Sequence, residues 1–340
     1  MNEKKLTDKK MGRLLFLLCW CVYFSSYIGR LNYSSVMSSM MEEGILTLSQ
    51  AGSISMVYFF AYGIGQLCNG ILGDKSKPQN MIFLGLFSSG MANLLMGCMK
   101  TFWVLAALWG INGYMQSMIW PPIIRIFAEK YSAEKKRQYS VDIASSMAVG
   151  TLTSYFLSAC AMKLFTWQAA FFLAAGIMAS IAVIWIIGYR KVDHFLMQKG
   201  TGATVSIEKS VKEEADIGQE KVHTPLLPLV LGSGLVGILL PVMIHGVLKD
   251  GITQWVPTYI YDCYDVTSSF SVLVTMVLPL INLTGAYAAR YAGRKHPEEE
   301  IRTSIWFFGI ATAALLCLLL FGKWQVLLAV VLFAISTASM

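Results

Sequence analysis

Charged residues are scarce in this chain. Only 14% of its 340 residues are Asp, Glu, Lys or Arg, and 56% are hydrophobic, whereas about 25% charged is usual for a soluble domain. Windows of the ~20 apolar residues that a membrane-spanning helix requires recur ten times: 13–41, 50–73, 79–99, 102–128, 138–162, 166–188, 229–260, 266–291, 301–321 and 324–340. The composition therefore excludes an ordinary soluble domain and predicts an all-α integral membrane protein.

Patterns of enzyme and metal chemistry are also lacking. The seven cysteines are scattered singly, without the paired spacing of a zinc site or a disulfide framework. There is no glycine-rich phosphate loop, which argues against nucleotide-driven pumping by this chain. No nucleophile and base occur together with a third, orienting group. We therefore expect no enzyme activity, no metal ion and no cofactor.

Basic residues are distributed unevenly between the loops. Loops on the N-terminal side of the windows carry twenty-one Lys and Arg, and those on the opposite side carry three. This asymmetry follows the positive-inside rule and predicts a cytoplasmic N-terminus. Topology thereby accounts for the net charge of +7, and no nucleic acid partner is expected. No small-residue cleavage site follows the first window, which predicts a retained helix and not a signal peptide.

One long polar stretch, residues 189–225, divides the windows into six and four. We predict an N-terminal six-helix bundle in 1–188, a cytoplasmic linker or short surface helix in 189–225, and a second bundle in 226–340. The glycine-rich turn at 70–75 has a counterpart 215 residues later, at 285–290. Such an offset predicts parallel repeats with a binding site at their interface.

Two basic residues lie deep inside apolar windows. Arg30 is in the first window and Lys249, 219 residues later, is in the seventh. An arginine at the bilayer centre costs at least ~2.5–3.5 kcal/mol, so such cations usually face a wet cavity or a ligand. No acid lies beside Arg30 in the sequence, and we predict that the two cations hold an anion at mid-depth. The alternatives are a structural ion pair for Arg30 and a snorkelling stem for Lys249, whose neighbour is Asp250.

Further polar side chains follow the helical repeat within these windows. Polar stripes must face protein or water and not lipid, which predicts a central cavity. The stripes are Tyr23, Ser26, Tyr27, Arg30 and Ser34 in the first window, Tyr62 and Gln66 in the second, Asn112, Gln116 and Trp120 in the fourth, and His245, Lys249 and Thr253 in the seventh.

Several of these side chains have two interpretations. Tyr27 and Tyr62 are either hydroxyl donors to a ligand or partners in interhelix hydrogen bonds. Trp120 is either a ligand contact or a wedge beside the kink expected at the prolines that follow it. His245 is either a proton-coupling group or a packing residue. Gln66 is expected to line the cavity.

Five stretches carry a family signature. They are Tyr27-Ile-Gly-Arg30, Tyr62-Gly-Ile-Gly-Gln66, Gly73-Asp74-Lys75-Ser76-Lys77-Pro78, Trp120-Pro121-Pro122, and Leu248-Lys249-Asp250-Gly251 running on to Trp255-Val256-Pro257-Thr258-Tyr259. They resemble the major facilitator superfamily and, more narrowly, the organophosphate:phosphate antiporter family of glycerol-3-phosphate and hexose-phosphate transporters. The resemblance implies a two-bundle fold of twelve transmembrane helices, of which about ten are present. Because the last window ends at Met340, we expect a C-terminally incomplete fragment or a truncated gene product.

The resemblance also implies a site. That family holds phosphate between two arginines, and Arg30 and Lys249 occupy these positions; a lysine keeps the charge but loses the bidentate fork of arginine. A family lysine is Gln66 here, and a family histidine is Ser146. Because the site has fewer positive groups than the family pattern, a smaller or less charged substrate, such as a carboxylate, remains an alternative. A cytoplasmic gating latch is implied at Gly70, Asp74, Lys75 and Arg125, and solubilisation of the loop is its alternative.

The function implied by the resemblance is secondary active transport. A small organic anion, such as glycerol-3-phosphate or a sugar phosphate, would move by alternating access in exchange for inorganic phosphate. Two alternatives stay open: a membrane sensor of external sugar phosphate with a signalling partner, and a proton-coupled carboxylate symporter. The expected partners are a small anionic substrate and the lipid bilayer, for a monomer in the bacterial inner membrane.

Overall fold

The computed structural model describes residues 9–201, 235–295 and 300–339, which form helices joined by short turns. The helices are α1 (Lys9–Glu42), α2 (Leu48–Lys75), α3 (Pro78–Cys98), α4 (Phe102–Gln116), α5 (Trp120–Lys130), α6 (Ala133–Asp142), α7 (Ala144–Leu164), α8 (Trp167–Thr201), α9 (Leu235–Tyr264), α10 (Ser268–Thr275), α11 (Val277–Lys295), α12 (Glu300–Phe321) and α13 (Val326–Ser339), with a 3₁₀ turn at Gly322–Trp324. Each predicted window overlaps one helix or a consecutive pair, which confirms the all-α class.

Six segments of the described residues are long and apolar enough to cross a membrane. They are Lys9–Glu42, Leu48–Gly73, Pro78–Cys98, Ala133–Leu164, Trp167–Leu196 and Arg302–Phe321, and the shorter apolar segments are Ser268–Asn282 and Val326–Ser339. Many large apolar side chains on these helices are exposed, including Leu67, Ile187 and Leu319. Exposed apolar surface of this extent is unusual on a soluble protein, and lipid is the environment that suits it.

Local sequence signals set several helix ends. Gly44, at φ +69°, closes the turn after α1, a backbone conformation that glycine adopts without steric cost. Thr47 and Gln50 then form a capping box at the start of α2, with each side chain bonded to the other residue's backbone N–H. Thr267 caps α10 by accepting from the N–H of Phe270 at 3.4 Å.

Prolines divide two of the predicted windows. The fourth window breaks after Gln116, where turn hydrogen bonds tighten the backbone before Pro121 and Pro122 enter the first turn of α5. The eighth window breaks at Met276, and Pro279 lies in the first turn of the helix that follows, α11. A proline has no N–H for the carbonyl four residues earlier and its ring crowds that carbonyl, so a new helix starts most easily there.

The first bundle is built around α1. Helix α1 packs against α7 and α8, α3 packs along α8, and α2 packs along α4. Close approach of α1 and α7 depends on Gly150, because a Cβ atom there would lie 2.7 Å from the carbonyl oxygen of Phe24. This matches the expectation that small residues at helix crossings allow backbones to meet in a membrane protein.

The second bundle packs α13 against α11, α12 and α9 around an apolar cluster that includes Ile260 and Val330. The two bundles meet where α1 contacts α9 and where α7 contacts α10 and α11. The central helices of both halves therefore face one another across the middle of the molecule.

The structure describes the first part of the predicted linker, residues 189–201. Helix α8 continues to Thr201, so residues 189–201 extend the last helix of the bundle. The sequence from Arg190 to Lys199 contains no glycine or proline and many good helix formers, which favours continuation of the helix. The rest of the predicted linker, 202–225, lies outside the described residues.

Candidate functional site

A cavity of about 240 Å³ lies between the two bundles. Arg30 and Tyr27 of α1 line it on one side, and Lys249 and Asp250 of α9 line it on the other. Its remaining wall consists of Leu31, Phe59, Ala144, Met147, Ala148, Thr151, Tyr155, Thr253, Gln254, Leu278, Pro279 and Asn282. The structure thus brings both predicted cations to one chamber, one from each half of the molecule.

Aromatic rings surround the Arg30 guanidinium. Its central carbon lies 4.9 Å from the ring centroid of Tyr62, 5.7 Å from that of Phe59, and 5.8 Å from those of Tyr58 and Tyr27. Each such contact contributes about 0.5–2 kcal/mol, more where water is excluded. Tyr27 and Tyr62 therefore both stand beside Arg30, but of these two predicted site residues only Tyr27 is among the described residues that line the cavity.

Arg30 also has an acidic partner, contrary to the expectation from sequence. Its Nη2 donates to Oδ2 of Asp250 at 3.0 Å, across the boundary between the bundles. The arginine side chain is 13% exposed and the aspartate side chain is 51% exposed, so the carboxylate remains accessible from the cavity. The two residues are 220 positions apart, and only the packing of α1 on α9 makes them neighbours.

Three other predicted site residues do not line the cavity. Gln66 is partly buried on α2, one helical turn beyond Tyr62. Trp120 packs on the ring of Tyr23 at a centroid distance of 4.7 Å, in the core of the first bundle. His245 contacts the ring of Phe308 on α12 edge to face at 5.8 Å. None of these three is among the residues that line the cavity in the described part of the chain.

Asn112 and Gln116 belong to a buried network instead of the cavity wall. Asn112 donates to the Gly29 carbonyl at 3.0 Å, and Gln116 donates to Ser89 at 3.2 Å while accepting from Tyr58 at 3.4 Å. The polar stripe of α4 faces α1 and α3 within the first bundle, which corrects the expectation that it faces the cavity. The network fixes the α1 backbone next to Arg30 and orients one of the rings around it.

Hydrogen bonds between the bundles lie at Arg30 and toward the end of α1. Ser34 donates to the Gln254 carbonyl at 2.5 Å, and Ser268 donates to the Glu42 carboxylate at 3.0 Å. The cavity extends the other way, toward the start of α7 at Ala144. The bundles are therefore joined on one side of the site.

Tyr155 contributes a contact that the sequence pattern did not single out. Its hydroxyl donates to the carbonyl of Thr253 at 3.1 Å. That carbonyl lies four residues before Pro257, which has no N–H to offer it. A tyrosine of the first bundle thus satisfies a backbone group of the second, which allows α9 to continue through Pro257.

Of the residues predicted for the latch, Arg125 makes a contact between two helices. The Arg125 guanidinium donates to the backbone carbonyls of Gly73 and Ser76, the latter at 3.0 Å, and also bonds Glu129. These carbonyls end α2, so Arg125 ties α5 to the C-terminal end of α2. A side chain at Gly70 would meet open space. The side chains of Asp74 and Lys75 lie outside the described residues.

No metal-binding group is evident in the described ranges, where no three His, Cys, Asp or Glu side chains converge. Two helical bundles with a charged chamber between them define a membrane transport fold. The sequence profile of the Major Facilitator Superfamily matches residues 19–340. The chain belongs to the major facilitator superfamily.

Its relatives by sequence include proteins named as organophosphate transporters. It is 24% identical over 213 residues to the "Probable hexose phosphate transport protein" of Chlamydia trachomatis, covering 63% of this chain and 45% of that protein. It is 25% identical to the "Membrane sensor protein UhpC" of Escherichia coli, covering 51% and 39%, and 25% identical to the "Glycerol-3-phosphate transporter" of Bacillus subtilis, covering 74% and 58%. The chain thus matches about half the length of these relatives.

Solved structures support the fold. A bacterial homolog of the human lysosomal transporter Spinster, in an inward-facing and unoccupied conformation, superposes with a TM-score of 0.69 at 13% identity, covering 98% of this chain and 75% of that one. A D-xylose–proton symporter gives 0.64 at 14% identity, covering 96% and 78%. At these identities the likeness concerns the fold alone.

Proposed function

We propose that this chain forms the substrate pathway of a secondary transporter for a small phosphorylated organic anion, exchanged for inorganic phosphate. The observation that carries the proposal is the chamber between the bundles, which has a cation from each half, Arg30 and Lys249. The relatives of this chain include proteins named for hexose phosphate and glycerol-3-phosphate transport. A phosphate group shared by both exchanged anions would explain how one site serves two substrates.

The size of the chamber favours a small cargo. A volume of about 240 Å³ lies below the roughly 300–1,000 Å³ that is usual for pockets that hold drug-sized ligands. A molecule of the size of glycerol phosphate would fill it, and contacts from both bundles would close around it. Binding to a cation on each half would draw the halves together, which is the energetic basis of coupling between binding and reorientation.

The arrangement of the bundles supports alternating access. They are joined on the side where α1 ends, and the cavity extends toward the side where α1 begins. With the N-terminus in the cytoplasm, this arrangement corresponds to a state closed to the outside. Separation of the contacts near Ser34 and Glu42, with closure on the other side, would expose Arg30 to the opposite compartment.

Counterflow in proteoliposomes tests the site. Vesicles loaded with phosphate and containing the purified chain are given labelled phosphate outside. Replacing one partner of a desolvated charge contact costs about 2–5 kcal/mol, so Arg30→Ala should lower the exchange rate at least about thirtyfold at substrate concentrations below saturation. Arg137→Ala, on the exposed surface of α6, is the matched control and should exchange normally. Undiminished exchange by Arg30→Ala would reject the site.

A sensor is the second candidate, because one relative is named as a membrane sensor protein. A sensor would bind phosphorylated ligands in the same chamber without carrying them. The purified chain would then show saturable, Arg30-dependent ligand binding by calorimetry but no counterflow. A proton-coupled carboxylate symporter would instead accumulate labelled carboxylate under an imposed pH gradient, without phosphate inside the vesicles.

A further inference from the structure

The cavity contains an acid that binding of a simple anion does not require. Asp250 lines the chamber beside Lys249, and its side chain is 51% exposed. One carboxylate oxygen accepts from Arg30 at 3.0 Å. Among the described residues, the other oxygen has no hydrogen-bond partner, and Lys249 takes part in no salt bridge. The chamber therefore offers an anion site and a cation site side by side.

The charges of the chamber indicate what would fit it. Arg30 and Lys249 contribute two positive charges and Asp250 one negative charge, a net of +1. A phosphate monoester brings about −1.5 to −2 at neutral pH. Bound at the two cations, such an ester would leave Asp250 unpaired beside the phosphate, a repulsive arrangement in a partly desolvated site.

The groups around Asp250 do not remove this excess of negative charge. Tyr27 of α1, Tyr58 and Tyr62 of α2, and Tyr155 of α7 are neutral hydroxyl side chains. On α11 the wall consists of Leu278, Pro279 and Asn282, and on α9 the ring of His245 packs toward α12. Among the described residues, no positive side chain besides Arg30 and Lys249 lines the chamber, so we expect the positive group that balances Asp250 to come with the substrate.

We propose that the site takes phosphate monoesters that also carry an ammonium group. The substrate's phosphate replaces the carboxylate of Asp250 at Arg30 and contacts Lys249, and the substrate's ammonium binds the carboxylate that has been displaced. Every charge is then paired: two cations with a dianionic phosphate, and Asp250 with the ammonium. This inference rests on the proposed function, because it assumes the same phosphate site, and it defines the substrate class of that site more narrowly.

A matched pair of ligands tests the proposal without any mutation. 2-Aminoethyl phosphate and 2-hydroxyethyl phosphate have nearly the same size and differ in the ammonium group. Calorimetric titration of the purified wild-type chain should give about tenfold tighter binding of 2-aminoethyl phosphate, as expected for one added charge-assisted hydrogen bond. Equal affinities, or tighter binding of the hydroxyl compound, would overturn the proposal.

Variants at Asp250 assign the preference to that residue. Asp250→Asn should bind both esters with affinities equal within about twofold, because the variant has neither the ammonium partner nor the competitor for Arg30. Asp250→Glu should retain the preference. A preference that persists unchanged in Asp250→Asn would show that the ammonium binds elsewhere and would reject the assignment.

The outcomes distinguish this inference from the proposed function. If neither ester nor inorganic phosphate binds to the wild-type chain in the same titration, the phosphate site itself is rejected. If all three bind and the two esters bind equally, the phosphate site stands and the ammonium subsite is rejected. Since the wild-type titration decides both points, poor folding of a variant would not leave the question open.

Discussion

At the residue scale, Arg30 illustrates how a guanidinium is held in the middle of a membrane protein. Four aromatic rings within 6 Å and one carboxylate at 3.0 Å replace much of the hydration that the cation loses. The rings contribute by cation–π attraction and the carboxylate by a charge-assisted hydrogen bond. A planar guanidinium can make both kinds of contact at once. A lysine at this position would therefore lose the stacking on the rings and the bidentate hydrogen-bonding geometry of arginine.

Arg125 is a second arginine whose role can be tested at this scale. It donates to carbonyls at the end of α2, and its side chain is 29% exposed. Arg125→Ala would leave these carbonyls without that donor, and the free energy of unfolding in detergent should fall by about 1–2 kcal/mol, a value reduced for solvent screening. Arg125→Lys should recover less than half of the loss, because lysine lacks the fork.

The control for this measurement is Lys130→Ala, at the end of the same helix. It should unfold within about 0.5 kcal/mol of the wild type, as most surface substitutions do. Thermal or denaturant unfolding followed by tryptophan fluorescence provides the comparison. An Arg125→Ala protein as stable as the control would show that the bonds to α2 contribute nothing to stability.

At the element scale, a glycine decides how closely α1 and α7 approach. A Cβ at Gly150 would lie 2.7 Å from the Phe24 carbonyl oxygen and 2.8 Å from the Cβ of Tyr27. Gly150→Ala should therefore destabilise the protein by about 1–3 kcal/mol, as overpacking of a tight contact does. Because Tyr27 lines the cavity, the same substitution should also weaken ligand binding.

Gly176→Ala is the matched control for this contact. It lies within α8, and an added Cβ there would have no neighbour within 4 Å. Alanine in an unobstructed helical position should leave stability unchanged or raise it by up to about 1 kcal/mol. Opposite effects of the two substitutions in one unfolding assay are expected, and a loss of equal size at both positions would contradict the packing argument.

The helices themselves were largely predictable from the sequence, because composition and periodicity act locally. The positions at which a predicted window breaks into two helices were less predictable. Pro121 and Pro279 lie in the first turns of new helices, whereas Pro257 lies within α9. Tyr155 bonds the carbonyl that Pro257 leaves free, which compensates for the backbone hydrogen bond that a proline cannot make. A sequence pattern cannot show whether a distant side chain will satisfy such a group.

At the scale of the whole molecule, the contacts between the bundles predict which side must open. Glu42 and Ser268 lie on opposite bundles and are joined by a 3.0 Å hydrogen bond. In a background whose native cysteines are replaced, Glu42→Cys with Ser268→Cys should be cross-linked by a short bifunctional thiol reagent. If the bundles must separate here during each cycle, the cross-link should lower counterflow at least about tenfold, the expectation for a gating motion.

A pair within one bundle is the control. Glu43 and Trp167 are joined at 3.0 Å by the indole N–H, and cross-linking of Glu43→Cys with Trp167→Cys should not lower counterflow below that of the same variant before cross-linking. In the proposed orientation, with a cytoplasmic N-terminus, an impermeant reagent should reach the first pair in intact cells. Full activity after complete cross-linking would contradict the gating role, and reaction with only a permeant reagent would reverse the proposed orientation.

The candidate site was predictable in its parts but not in its assembly. Arg30 and Lys249 stand out in sequence because charge is costly in an apolar segment, and the structure places both at one cavity. The polar stripe of Asn112 and Gln116 has the same signature, yet it is buried within the first bundle. Periodicity shows that a face avoids lipid, but it does not distinguish a wet chamber from a neighbouring helix.

The sequence alone determined that this protein is a helical membrane protein with two cations in its apolar segments, because hydrophobicity and charge are properties of each segment by itself. Only the tertiary structure decided that Asp250 pairs with Arg30, because that contact depends on how α1 and α9, 220 residues apart at these positions, come together. The same packing decided which polar faces enclose the cavity and which are buried within one bundle.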